Sequence, residues 1–146
     1  MDVAIRDAGL EEVAAIAKLE RQLSGRYSPE FWRELLATSA YPMLTFCAED
    51  GGEIVGFLVA QVRVGEHGLA SETGWLTNMG VAPERQREGI GRALLAAARQ
   101  RLRDIGVAEL WGMAPAGGPV VSFLQREQFD IRRDLVAVQL DVGGPA

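Results

Sequence analysis

The chain has 146 residues, 48% hydrophobic and 24% charged, which suits one domain with a real core. A net charge of −5 argues against a nucleic-acid surface, and any basic residues that matter must act locally. A single cysteine, Cys47, and a single histidine, His67, build neither an internal disulfide nor a Cys/His metal cluster, so no metal is expected.

Val3 to Arg6 alternates apolar and polar residues and predicts a short strand. Gly9 breaks it. Leu10, Val13, Ala14 and Ala17 then fall on one helical face, which Ile16, Leu19 and Leu23 widen, and Gly25 ends the helix. Ser28 is placed to cap a second helix, with Pro29 at its first position and Glu30 near the positive end of the dipole. Phe31, Leu35 and Leu36 give that helix an apolar face, and Tyr41-Pro42 closes it. Met43 to Glu49 predicts a strand with Cys47 as a buried small hydrophobe. Asp50-Gly51-Gly52 predicts a hairpin turn into a strand over Glu53 to Val64. Its apolar run, Ile54 to Ala60, is far too short to cross a membrane. Residues Met1 to Asp7 lack the charged-then-apolar layout of a signal peptide, so a cytoplasmic protein with no membrane partner is the default expectation.

Gly65 to Gly68 predicts another turn, with His67 at its tip, and Ser71 to Val81 a further strand in which Gly80 suggests a bulge or a splayed backbone. A helix follows to Asp104, with Gly106 as its cap, then a strand over Val107 to Met113. Pro119 opens a helix through Glu127. Phe129 to Arg133 and Leu135 to Val142 read as a closing pair of strands, before a tail over 143–146. Nothing divides the chain, so a single domain over 1–142 is expected.

The chemistry concentrates between Gly80 and Leu95. Pro83 stops the strand that ends at Val81, because proline has no N–H for a ladder. A polar turn leads to Gly89 and Gly91, which carry no side-chain bulk, at the start of a helix with Leu94, Leu95, Ala98, Leu102 and Ile105 on one face. Backbone N–H groups converging at a helix N-terminus bind anions, phosphates above all. Arg85, Arg87 and Arg92 add positive charge. A P-loop would need Gly-Lys-Ser or Gly-Lys-Thr where Ile90-Gly91-Arg92 stands. A dinucleotide fingerprint would need a third small residue where Leu94 stands, and a first glycine directly after the strand. A plain helix start with two turn glycines is the bland alternative.

Val81-x-Pro83 followed by Gln86-x-x-Gly89-x-Gly91 resembles the acyl-CoA pyrophosphate loop of the GNAT superfamily of N-acetyltransferases, most closely its ribosomal-protein N-acetyltransferase-like members. The order of strands and helices is similar to that family across nearly the whole chain. The resemblance implies an α/β (α+β) fold, with a mixed, mostly antiparallel central sheet flanked by about four helices. It also implies transfer of an acetyl group from acetyl-CoA, as co-substrate, to an amine within a ternary complex.

On that reading Met79, Gly80 and Val81 pair with the pantetheine arm, and Gln86, Arg87, Glu88, Gly89, Ile90, Gly91 and Arg92 hold the pyrophosphate. A backbone N–H near Gly80 or Val81 receives the oxyanion. The base is less well marked. Leu124 stands where many relatives carry a tyrosine, Gln128-Phe129 replaces their Gly-Phe pair, Gly117 and Gly118 occupy the region of a usual asparagine, and Met113 stands in place of a glutamate. Glu72 is the first candidate for the base and Asn78 could orient a water, each against the reading of a strand residue facing solvent; His67 and Ser122 are weaker candidates. Tyr27, Phe31, Trp32 and Tyr41 lie in the segment that covers the acceptor cleft in the family, where core packing is the competing account.

Three functions follow as alternatives: acetylation of a small amine or amino acid, acetylation of a protein N-terminus or lysine, and a non-catalytic acyl-CoA-binding domain. A homodimer is compatible with each.

Overall fold

The computed structural model describes residues 2–38, 40–64 and 72–144. The turn expected over Gly65 to Gly68, and His67 with it, lies outside the described residues. The chain divides into two compact units, Met1–Met113 and Ala114–Ala146, with the division at the loop after the last strand.

The first unit is built on a five-stranded sheet in sequential order. Its strands are β1 (Ala4–Asp7), β2 (Met43–Asp50), β3 (Glu53–Val64), β4 (Glu72–Val81) and β5 (Leu110–Gly112). The first four pair antiparallel, and β5 joins β4 in parallel. Gly51 and Gly52, at φ 58° and 84°, make the hairpin between β2 and β3, where two successive positive φ angles match the twist of the flanking strands.

Consecutive strand residues face opposite sides of a sheet, and β3 shows which helices lie where. Phe57 meets Trp32 of α2 (Pro29–Ala37) edge to face, with centroids 5.2 Å apart. A Cβ at its neighbour Gly56 would lie 3.2 Å from both Ile90 and Leu94 of α3 (Ile90–Asp104). The glycine therefore lets α3 close onto the sheet. α1 (Val13–Ser24) shares the α2 side, since a Cβ at Gly80 would come within 2.4 Å of Leu23. Gly80 is thus a point of close helix approach, and the β4 bulge lies elsewhere: Val59 pairs with Asn78 but Ala60 with Leu76, which leaves Thr77 as the extra residue.

Residues 10–12 form a 3-10 turn before α1, and Leu10 and Ala14 lie outside the buried face of Val13, Ile16, Ala17 and Leu19. The buried Glu12 accepts from the Gly9 N–H and pairs with Arg6, which also holds Glu49 at 2.7 Å, so β1 is tied to β2 and to the helix entry. Cys47 is buried, and burial pushes its thiol up to about 11. Trp111 stacks on Trp75 of the neighbouring strand at 5.6 Å, and Arg63 covers the other ring at 5.1 Å.

The second unit contains α4 (Pro119–Arg126). It ends with Gln128 N–H to Gln125 C=O and Phe129 N–H to Leu124 C=O, both 3.0 Å, the paired bonds of a Schellman turn. Gln128 adopts φ 76° there, a left-handed conformation that usually calls for glycine. The closing pair of strands expected over 129–133 and 135–142 is not formed. Residues 135–142 are exposed and make no ladder, although Val136, Val138, Leu140 and Val142 alternate as a strand would. Alternation permits an extended backbone, but only a partner strand makes it a ladder.

Candidate functional site

β4 is paired on both sides at one end and on one side at the other. Its pairing to β5 stops at Leu76↔Gly112, while its pairing to β3 continues to Val81↔Gly56. The Ala82 N–H donates to Val55 C=O at 2.8 Å. Backbone groups alternate sides along a strand, so Gly80 faces β3 while Val81 and Met79 face the open edge. That edge has no strand neighbour among the described residues. The Val81 C=O accepts from the Gln86 side chain at 3.1 Å, which leaves the Val81 N–H and both Met79 backbone groups along it. Thr77, the bulged residue, donates its hydroxyl to Val59 C=O at 3.3 Å and so fixes the strand where β5 leaves it.

The loop lies at the end of this edge. Pro83–Arg85 forms a 3-10 turn, Gln86 is extended, and Arg87 and Gly89 take φ 71° and 88°. Gly89 is the N-cap of α3, and only its φ calls for glycine, because an added Cβ would meet nothing within 4 Å. The first intrahelical bond runs from Ala93 N–H to Gly89 C=O at 3.0 Å, so the N–H groups of Ile90, Gly91 and Arg92 precede the helical ladder. Ile90 is buried and anchors the turn against β3, while Arg87, Glu88 and Arg92 are exposed.

The cationic contribution of Arg85 is smaller than the sequence suggests. Its guanidinium binds Glu88 at 3.0 Å and Asp50 at 2.8 Å, bonds that push its pKa upward. Arg85 braces the loop against the β2–β3 turn, and the Glu88 carboxylate faces Arg85.

A cavity of about 220 Å³ opens on the other face of the sheet, lined by Glu20, Arg26, Ser28, Phe31 and Asn78. Asn78 lies two residues before Gly80 and shares its side, so it faces α1. Ser28 occupies the N-cap position of α2 but makes no side-chain cap bond, contrary to expectation. Among the four aromatic residues of this segment, core packing accounts for Trp32 alone. It is fully buried, whereas Tyr27, Phe31 and Tyr41 are exposed. The Trp32 indole N–H donates to Glu20 Oε1 at 3.2 Å. Sequence reasoning missed Glu20. The helical pattern of α1 places it among solvated charges, and its approach to Trp32 and Asn78 exists only in the tertiary structure.

Glu72 is not brought to this place. It begins β4, nine residues from Val81, so the rise of a strand separates the two by roughly 30 Å. Its carboxylate is exposed and accepts from the Tyr41 hydroxyl at 3.1 Å, which pushes the phenol pKa upward. Met113 is exposed. In the second unit Leu124 is buried, and Ser122 donates to Gly118 C=O at 3.2 Å, which engages the hydroxyl as a helix-surface serine.

Residues 10–127 match the model of the acetyltransferase (GNAT) family. The chain belongs to that family. Among its GNAT relatives is an N-alpha-acetyltransferase of Sulfurisphaera tokodaii, 32% identical over 111 residues; the match covers 72% of this chain but just under two thirds (65%) of that enzyme. The fold is that of a ribosomal-protein-alanine N-acetyltransferase from Brucella melitensis biovar Abortus 2308, with a TM-score of 0.75 at 20% identity, over 97% of this chain and 99% of the other. It is also that of the aminoglycoside N-acetyltransferase AAC(6')-Iy in complex with a CoA-linked bisubstrate analogue, with a TM-score of 0.81 at 18% identity, over 97% and 99% of the two chains. The mixed, mostly antiparallel sheet with four helices is thus the GNAT arrangement. No helix among the described residues is long and apolar enough to cross a membrane.

Proposed function

We propose that the protein transfers an acetyl group from acetyl-CoA to the primary amine of a small molecule or amino acid. The observation that carries this reading is the open edge of β4 at Met79 and Val81, which leads directly to the turn at the N-terminus of α3. An amide-rich pantetheine arm suits such an edge, because its amides can pair with backbone groups as an added strand does. The pyrophosphate suits the N–H groups of Ile90, Gly91 and Arg92 and the positive end of the α3 dipole. The Val81 N–H, which faces the open edge where Gly80 does not, is the backbone donor for an oxyanion. AAC(6')-Iy, which shares the fold, is seen with a CoA-linked analogue.

The two substrates then approach from opposite faces. The α3 side receives the cofactor end, and the cavity under α1 and α2 receives the amine. At about 220 Å³ that cavity falls below the 300 Å³ or so at which drug-sized ligand pockets begin, which favours a compact amine-bearing group. Leu124 supplies no acid, but a thiol with a pKa of about 8.5 can depart as thiolate unassisted. A cytoplasmic setting belongs to the same reading.

The named N-alpha-acetyltransferase among the relatives supports a second reading, in which the amine is a peptide N-terminus. One screen separates the possibilities. Acetyl-CoA turnover is measured against small amines, amino acids and N-terminal peptides, beside CoA binding by calorimetry. Turnover on compact amines supports the first reading and turnover on peptides alone the second. CoA binding without turnover on any acceptor leaves the non-catalytic acyl-CoA-binding domain, and absence of CoA binding overturns all three.

A further inference from the structure

The geometry points to Glu20 as the carboxylate that receives the acceptor's ammonium and takes its proton, a role that rests on the acetyl-transfer reading above. Among its lining residues the cavity holds one carboxylate, Glu20, and one cation, Arg26, so Glu20 is the group there that attracts an ammonium and Arg26 opposes it. Oε1 accepts the indole N–H of the fully buried Trp32 at 3.2 Å. A buried indole needs an acceptor, so one oxygen is explained by the core. Oε2 has no hydrogen-bond partner among the described residues, while the Glu20 side chain lines the same cavity as Asn78. Leu23, almost one turn further along α1, packs on Gly80. The Glu20 side of the helix therefore lies over residues 78–80 of β4, behind the edge offered to the thioester.

A carboxylate oriented by an immobile indole, with one oxygen open to a small cavity, suits a primary ammonium. Charge-assisted hydrogen bonds are roughly twice as strong as neutral ones. Asn78 and Ser28 offer further hydrogen-bonding groups, and the exposed Phe31 supplies an apolar wall for a carbon chain. In the step that follows, the ammonium gives one proton to Glu20 Oε2. The neutral amine attacks the thioester carbonyl, a C–N bond forms and the C–S bond breaks. The CoA thiolate takes the second proton shed by the nitrogen, and Glu20 returns its own to solvent.

The rival account makes Glu20 only a partner for Trp32, and Glu20→Gln separates the two. Its amide oxygen keeps the indole bond while the charge is lost. Full-length protein, with and without bound CoA, is titrated with n-butylammonium chloride, and the Trp32 indole N–H resonance is followed. The resonance is expected to shift with n-butylammonium and not with 1-butanol, and Glu20→Gln is expected to weaken that affinity at least tenfold. No shift, or equal affinity in the variant, overturns the proposal. With an acceptor that the parent acetylates, Glu20→Gln should lower kcat/KM by a factor on the order of 10² while CoA affinity holds; unchanged kcat/KM also overturns it. The CoA-free titration reads Glu20 even if CoA fails to bind, so failure of the acetyl-transfer reading is seen separately.

Discussion

Glu72 and Glu20 show how little a carboxylate's position in the sequence says about its chemistry. Glu72 stands at the start of the strand that carries the site, a plausible place for a base when only the sequence is in view. In the structure its bond from Tyr41 holds the phenol in its protonated form and raises its pKa. The sign follows: the bond contributes below the ordinary tyrosine pKa and is lost as pH rises through the elevated one. Glu72→Gln removes the negative charge, so the Tyr41 pKa should move back down toward the ordinary value near 10. An ultraviolet phenolate titration of the variant beside that of the parent reads the shift. An unchanged Tyr41 titration would show that the bond does not persist in solution. On the acetyl-transfer reading, turnover by this variant should stay within about threefold of the parent, since general acid–base help is worth about 10² or more and Glu72 lies away from the edge.

Among the elements, the loop was the most legible in sequence because its requirements are local. Gly89 needs a positive φ, and the N–H groups before Ala93 follow from helix geometry alone. The parting of β4 from β5 was not legible, because it depends on how far two distant segments pair. Val107 to Met113 suggests a longer strand than Leu110–Gly112, and nothing within the strand places the bulge at Thr77 rather than at Gly80. Glu20 and the engaged Arg85 were hidden for the same reason, since both depend on tertiary partners. The closing strands failed in the opposite direction: their alternation is real, but it names no partner. Gly91→Glu tests the loop as an element. It places a carboxylate at the second position of α3, where negative charge is tolerable for the helix but opposes a pyrophosphate. CoA affinity should fall by at least two orders of magnitude while circular dichroism stays that of the parent. Undiminished CoA binding in a folded variant would mean that the phosphate site lies elsewhere.

At the scale of the whole molecule, the acetyl-transfer reading asks a chain of net charge −5 to hold a polyanion. Long-range repulsion disfavours binding, while the oriented N–H groups of α3 and the exposed Arg87 favour it over a few ångströms. Salt discriminates between these contributions, because screening over a Debye length of about 10 Å at 0.1 M weakens distant charges more than close ones. If the loop dominates, added salt should change CoA affinity only modestly; a steep rise with salt would show that global repulsion controls the encounter. Binding to the folded state alone also stabilises it, by about 2.7 kcal/mol at a hundredfold excess over Kd. For a domain of this size that corresponds to a rise in Tm of roughly 5–10 °C. Pantetheine, which lacks the pyrophosphate, should give a smaller rise at the same concentration, because it can occupy the β4 edge but leaves the α3 turn unfilled. Differential scanning fluorimetry with both ligands reads the comparison. An equal rise with pantetheine would move the source of affinity from the loop to the strand edge, and no rise with millimolar CoA would remove acyl-CoA from the reading altogether.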